Sequence, residues 1–236
     1  MCILLALRTG DELVIAANRD EHLDRPWEPP QLLLHDPPVF GARDALAGGT
    51  WLAVNLEGVF VVGVTNARLG ARPRERSRGS LVLDVAAQRS IGEAVALLGE
   101  LDLERHGAFN LLVAGPAAMW AATNTPDPAV NRVDGPDAAL GNDALSSPSR
   151  RVEAALERAR NAATHDSPLD ALAGVLADHE GPDPLCRHFG RYGTTCSTLL
   201  RLGVEGVRGH RFAPGPPCVT AFEDVVVPGF PAPRPS

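Results

Sequence analysis

The 236-residue chain contains no lysine, so all 22 of its basic side chains are arginine. That excludes Schiff-base catalysis and a phosphate-binding loop built on a lysine. Long apolar runs are also missing. The run Ile3 to Leu7 gives way to Thr9-Gly10-Asp11-Glu12, too short for the apolar segment of a secretory signal, and nothing later approaches the roughly 20 residues that span a bilayer. Cysteine is sparse, at positions 2, 186, 196 and 218, with no CxxC pair and only Cys186 and His188 closely spaced. Zinc-finger and thioredoxin-like sites are therefore not expected, and no metal site is assigned. A chain this long and apolar needs no disulfide framework. Excess positive charge is lacking too: the net charge is -7, and the single basic run, Arg72 to Arg78, reads as a solvated loop. No basic patch offers itself to phosphates, so no nucleic-acid partner is expected. These absences together describe a reduced, cytoplasmic protein without a membrane span.

What is present is ordinary for a packed globular chain, 44% hydrophobic and 22% charged. A single domain is expected over 1–227, followed by a flexible proline-rich tail over 228–236. Cys2 to Leu7 and Leu13 to Ala17 flank a glycine-containing turn and read as a hairpin, with Asn18 to Glu21 at the exit of its second strand. The proline-marked stretch Arg25 to Pro38 reads as a loop. A second hairpin is predicted over Trp51 to Asn55 and Val59 to Thr65, and a third over Phe109 to Ala114 and Met119 to Ala122. Helices are predicted over Leu81 to Gln88 behind Ser80, over Ile91 to Leu101, and over Arg150 to Ala163 and Pro168 to His179 behind Ser149 and Ser167. Strands over Thr194 to Leu202, Val207 to Phe212 and Val219 to Val227 close the chain. Hairpins and helix pairs in this order, without βαβ alternation, disfavour a parallel sheet. Two antiparallel sheets stacked face to face and covered by helix pairs fit best.

Cys2 is the sharpest chemical candidate. Removal of Met1 would place a thiol and a free α-amine on one residue, and an α-amine of pKa roughly 7.7 to 8.0 is a base near neutral pH. Pairing of the first two strands across Gly10 brings Arg19 and Asp20 close to that terminus. An arginine there would lower the thiol pKa, and a carboxylate would hold the ammonium or orient a water. Both are expected to serve the site with little effect on stability. Read without a site, they are a surface ion pair at a strand end, worth roughly 0 to 1 kcal/mol.

A set of blocks in fixed order adds a resemblance: Met1-Cys2, Asn18-Arg19-Asp20-Glu21, Gly41-Ala42-Arg43-Asp44, Gly48-Gly49-Thr50-Trp51, Thr65-Asn66-Ala67-Arg68, Ser77-Arg78-Gly79-Ser80-Leu81, Phe109-Asn110-Leu111-Leu112 and Tyr192 to Thr198. From Met1 to about Leu200 the chain resembles the NRDE family, also called the transport and Golgi organisation protein 2 family. That family is similar to N-terminal-nucleophile hydrolases such as choloylglycine hydrolases and penicillin V acylases. The resemblance implies an α+β fold, a four-layer αββα sandwich of two antiparallel sheets. It implies Cys2 as nucleophile with Arg19 and Asp20 beside it, and Asn66 as oxyanion donor. Asn124, in Thr123-Asn124-Thr125-Pro126, resembles the Thr-Asn-x-Pro of the amidases, and Asn18, Glu21 and His22 complete the motif. The stretch Gly141 to Ser147 is a weak version of the family's Gly-Leu-Ser-Asn segment. Arg19 and Asp20 are adjacent here, so a regular strand sends their side chains in opposite directions.

Two functions remain open from the sequence. One is a cysteine amidase or acyl-transfer enzyme acting on a small amide or thioester, with no cofactor required. The other, implied by the family's connection with haem trafficking and acyl-lipid homeostasis, is a carrier whose cleft binds haem or an acyl lipid; for haem, the seven histidines and Cys2 offer axial ligands, His22 foremost because it follows the motif directly.

Overall fold

The computed structural model describes residues 2–68 and 75–230. In chain order the elements are β1 (Ile3–Thr9), β2 (Glu12–His22), β3 (Trp27–His35), β4 (Pro38–Asp44), β5 (Leu52–Asn55) and β6 (Phe60–Asn66), then α1 (Arg78–Ala86) and α2 (Ile91–Glu100). A second run follows: β7 (Phe109–Ala114), β8 (Met119–Thr123), β9 (Ala129–Arg132), β10 (Asp137–Leu140), α3 (Arg150–Ala163) and α4 (Pro168–Ala177). The last strands are β11 (His188–Phe189), β12 (Tyr192–Gly203), β13 (Gly206–Ala213) and β14 (Glu223–Asp224).

Two seven-stranded sheets result. One has the order β10-β1-β2-β12-β13-β14, with β11 on the edge of β12; the other runs β3 through β9 in sequence. Their ladders are antiparallel, for example Ile3 opposite Asn18 and Asn66 opposite Phe109. Gly10, at φ 63°, turns the β1–β2 hairpin with Thr9 and Glu12 paired across a two-residue loop.

Strand alternation sorts the apolar residues into three interfaces. Leu4, Ala6, Leu13 and Ile15 face Phe40, Leu52, Val54 and Leu112 between the sheets. Their neighbours Ile3, Leu5, Val14 and Ala16 face Val152, Ala159 and Leu172 of α3 and α4. On the other side Val62, Leu111 and Val113 pack on Leu81, Val85 and Leu98 of α1 and α2. The layers are thus helix pair, sheet, sheet, helix pair.

Several local expectations are corrected. The stretch read as a loop holds β3 and β4; β3 carries Pro29 and Pro30 but is an edge strand, where a missing amide disrupts no second ladder. Helix α1 begins three residues earlier than predicted, because Ser77, not Ser80, caps it by accepting from the Ser80 amide. Val219 to Val227 forms only the two-residue β14. Strands β9 and β10 were not anticipated, yet β10 pairs with β1. The chain packs past 227, since Phe230 lies against the inter-sheet core; residues 231–236 of the expected tail lie outside the described residues. Among the described residues no helix is long and apolar enough to cross a membrane.

Candidate functional site

Strand β2 outruns β1. Ile3 pairs with Asn18, so the register places Cys2 beside Arg19 and leaves Asp20 to His22 beyond the start of β1. The whole block therefore remains in strand, paired with β12, and does not leave it as expected. Opposite the block, β12 bulges: Asp20 pairs with Thr194 and Arg19 with Cys196, leaving Thr195 between them. A bulge re-aims side chains without ending the ladder. Here it brings Thr195 Oγ1 to within 2.9 Å of Arg19 Nη1 as acceptor.

The side chains of Arg19 and Asp20 do diverge. Arg19 lies on the inter-sheet side, 4% exposed, 4.5 Å above the Trp51 ring and 3.2 Å from Asp44 Oδ2. Asp44 also accepts from Arg25 Nε at 2.8 Å and from the amides of Leu46 and Ala47. Burial works to raise the Asp44 carboxyl, but the Arg25 hydrogen bond, the Ala47 amide and the two guanidinium charges hold it below the ordinary value. Asp20 points to the α3 side, accepting from Thr194 Oγ1 at 2.7 Å with Arg151 Nη2 at 3.8 Å. Burial raises its carboxyl despite the nearby charges of Arg151 and Arg187.

Cys2 Sγ donates to the Asp20 carbonyl at 3.7 Å. Burial pushes its thiol up, the charge of Asp20 adds to that, and Arg19 opposes it without prevailing. Arg19 does act to lower this thiol as expected, but desolvation outweighs one cation and the net shift is upward. Cys196, fully buried behind the site, is pushed by burial to about 12 and is chemically inert.

Cys2, Arg19, Asp20, Arg25, Asp44 and Trp51 line a cleft of about 470 Å³ that also takes in Asn66, Glu21 and His22. Its far wall carries Arg76, Arg78 and Gly79 from the start of α1. Of the run expected on a solvated loop, Arg76, Ser77 and Arg78 line the cleft, whereas Glu75 is exposed and pairs with Arg105; Arg72 to Arg74 lie outside the described residues. Asn66 ends β6, and its carbonyl accepts from Asn142 Nδ2. Glu21 is 3.9 Å from Arg25, and His22, exposed at the rim, meets the Tyr192 ring edge-on at 5.5 Å.

A family model described as Transport and Golgi organisation 2 matches residues 1–207. The chain belongs to this family. Comparison with curated proteins finds no matching relative. Among solved structures, this Transport and Golgi organisation 2 member is similar to a Caenorhabditis elegans N-acylethanolamine-hydrolyzing acid amidase ortholog, at 14% identity and TM-score 0.61, over 86% of this chain and 93% of that one. It is more distantly similar to a Thiobacillus denitrificans BPH in complex with epoxomicin, at 12% identity and TM-score 0.46, over 86% and 98%. The first likeness and the layer order give the family member an N-terminal-nucleophile-hydrolase-like fold.

Two motif residues of the family have their side-chain amides spent on the protein itself. Asn124 does not line the cleft: its amide donates both hydrogens, to Leu103 and His106 carbonyls at 3.0 and 3.1 Å, and its Oδ1 accepts the Phe109 amide. No donor is left to aim at a substrate. Asn18 donates to Leu176 and Leu185 carbonyls and accepts from Ser197 Oγ, tying β2 to α4. Arg19 and Asp20 are no surface pair. Both are buried and charge-paired, Arg19 with Asp44 and Asp20 with Arg151, and breaking a buried pair costs about 3–5 kcal/mol, so alanine at either position is now expected to destabilise the domain, an outcome that thermal melts of the two variants check. Missed entirely were Arg151, lowered by burial to about 10 yet still cationic, and Arg187, both gathered on Asp20. Their only signal was the start of a predicted helix and the neighbourhood of the Tyr192 to Thr198 block.

Proposed function

We propose that the chain is an N-terminal-cysteine hydrolase that cleaves, or transfers, the acyl group of a small amide or thioester. The observation that carries this reading is the gathering of Cys2, Arg19, Asp20 and Asn66 in one polar cleft at the end of the sheets. A thiol raised by burial needs a base at hand. With Met1 removed, the α-amine of Cys2 takes the thiol proton as sulfur attacks the carbonyl carbon. The Asn66 amide supplies a donor to the tetrahedral oxyanion. Collapse breaks the bond to the leaving amine or thiol, which receives the proton from the ammonium. Water then attacks the resulting thioester, returning the thiol and releasing the acid. Asp20 balances the ammonium, while Arg19, held by Asp44 and Trp51, fixes the wall beside the sulfur. Arg76 and Arg78 suit a substrate with a polar or anionic end.

The carrier reading rests on His22 at the rim as an axial ligand. The charged lining favours a compact polar ligand over a flat apolar macrocycle. A panel of N-acyl amides and acyl thioesters, run beside a haem titration, separates the two. The expected result is turnover that falls about 10³-fold or more in Cys2→Ala and about 10²–10³-fold in Asn66→Ala. No turnover of any panel member, with stoichiometric haem binding that His22→Ala abolishes, gives the carrier instead.

A further inference from the structure

Cys186 and His188, two residues apart in sequence, are met in the fold by the distant Cys218. Cys186 leads into β11, His188 begins it, and Cys218 arrives 32 residues after Cys186 on the turn closed by the Val219 and Thr220 amides on Pro216. Cys186 Sγ lies 3.5 Å from Cys218 Sγ; His188 Nε2 lies 3.6 Å from the first sulfur and 3.2 Å from the second. We propose that Cys186, His188 and Cys218 bind a zinc ion.

The triangle has the size such an ion requires. With Zn–S about 2.3 Å and Zn–N about 2.0 Å, a tetrahedral ion sets its sulfurs about 3.8 Å apart and each sulfur about 3.5 Å from the nitrogen. Two thiolates and an imidazole are soft and borderline donors of the kind that select zinc over magnesium or calcium. Binding displaces one proton from each thiol to solvent, and the two thiolates neutralise the ion. Cys186 is buried, Cys218 half-buried and His188 exposed, so the ligand set is anchored from within and open to entry from solvent. The fourth position falls to water.

The site also has a reason to sit where it does. Arg187 lies between two of the ligands, and its charge favours the ionised form of Asp20. Its amide donates to Thr194 Oγ1, the hydroxyl that donates to Asp20. Zinc would clip the segment around Cys218 to β11 and hold in place Arg187, which immediately precedes that strand and acts on Asp20. This holds whether the cleft is catalytic or not.

The test uses the full chain, purified under reducing conditions, with zinc and cobalt(II) as probes. One zinc per chain is expected by metal analysis after dialysis, and cobalt should give thiolate-to-metal charge-transfer absorption. Cys218→Ser and His188→Ala should each weaken zinc binding at least about tenfold, and His188, being exposed, gives a variant whose folding is not at risk. Cys2→Ser should keep the metal. A thermal midpoint that falls on chelation in the wild type but not in His188→Ala supports the clip. Wild-type protein without zinc or cobalt absorption overturns the proposal. So does metal retained in both Cys218→Ser and His188→Ala, or a Cys186–Cys218 disulfide, seen as a 2 Da mass deficit, in protein kept reducing throughout.

Discussion

His210 shows how a single side chain couples this core to pH. It is 4% exposed, packs edge-on against Phe40 at 5.9 Å, and neither ring nitrogen has a hydrogen-bond partner among the described residues. Burial alone lowers it to about 4. Above its unfolded value near 6.5 the ring is neutral in both states and contributes nothing to pH dependence. As pH falls from 6.5 toward 4, the unfolded chain takes up a proton that the native ring refuses, so stability is lost, by about 3 kcal/mol at pH 4. Denaturant titrations of wild type and His210→Leu across that window should diverge by this amount; parallel profiles would mean that the ring escapes to water. At this scale the sequence was legible where a motif bound residue types to fixed order, as for Cys2, Arg19, Asp20 and Asn66. It was silent on Arg151 and Arg187, and it noted Cys186 beside His188 without bringing in Cys218, because these partners are set by tertiary contact and not by spacing. The motif carried Asn124 and Asn18 along with the site, but their amides bond to carbonyls, amides and Ser197, since a motif does not say whether an amide faces substrate or protein.

Elements were legible in proportion to their local signals. The β1–β2 hairpin announced itself through alternation and Gly10, and α3 and α4 through apolar spacing behind Ser149 and Ser167. Strand β3 hid behind Pro29 and Pro30, and β9 and β10 are four residues each, too short for alternation to register. Long-range side-chain bonds then fix how elements meet. Asn55, at the end of β5, donates to the carbonyls of Ala86 and Gln88 and accepts the amides of Glu57 and Gly58, at 2.6 to 2.9 Å. It pins the end of α1 to the β5–β6 turn, and α1 carries Arg78 and Gly79 at the cleft. Alanine there strands four buried or half-buried backbone groups, a cost of about 2–4 kcal/mol. Calorimetry should find the midpoint lower by roughly 5–15 °C. A change under 2 °C would show that water replaces the amide without loss.

For the whole molecule, the four layers decide where this cleft lies. The sheets pack on each other and each carries a helix pair on its outer face, and at their ends β2 overhangs β1 to bring Cys2 and the Arg19-Asp20 pair beside Asn66 of the opposite sheet. That arrangement puts any amine on Cys2 next to the thiol it must deprotonate. Two preparations, shown by intact mass to lack or to retain Met1, compared with the same acyl amide or thioester, test this most directly. The expected result is turnover, with a transient mass gain of one acyl group on Cys2, only in the form lacking Met1. Equal turnover by the form retaining Met1 would contradict an N-terminal nucleophile.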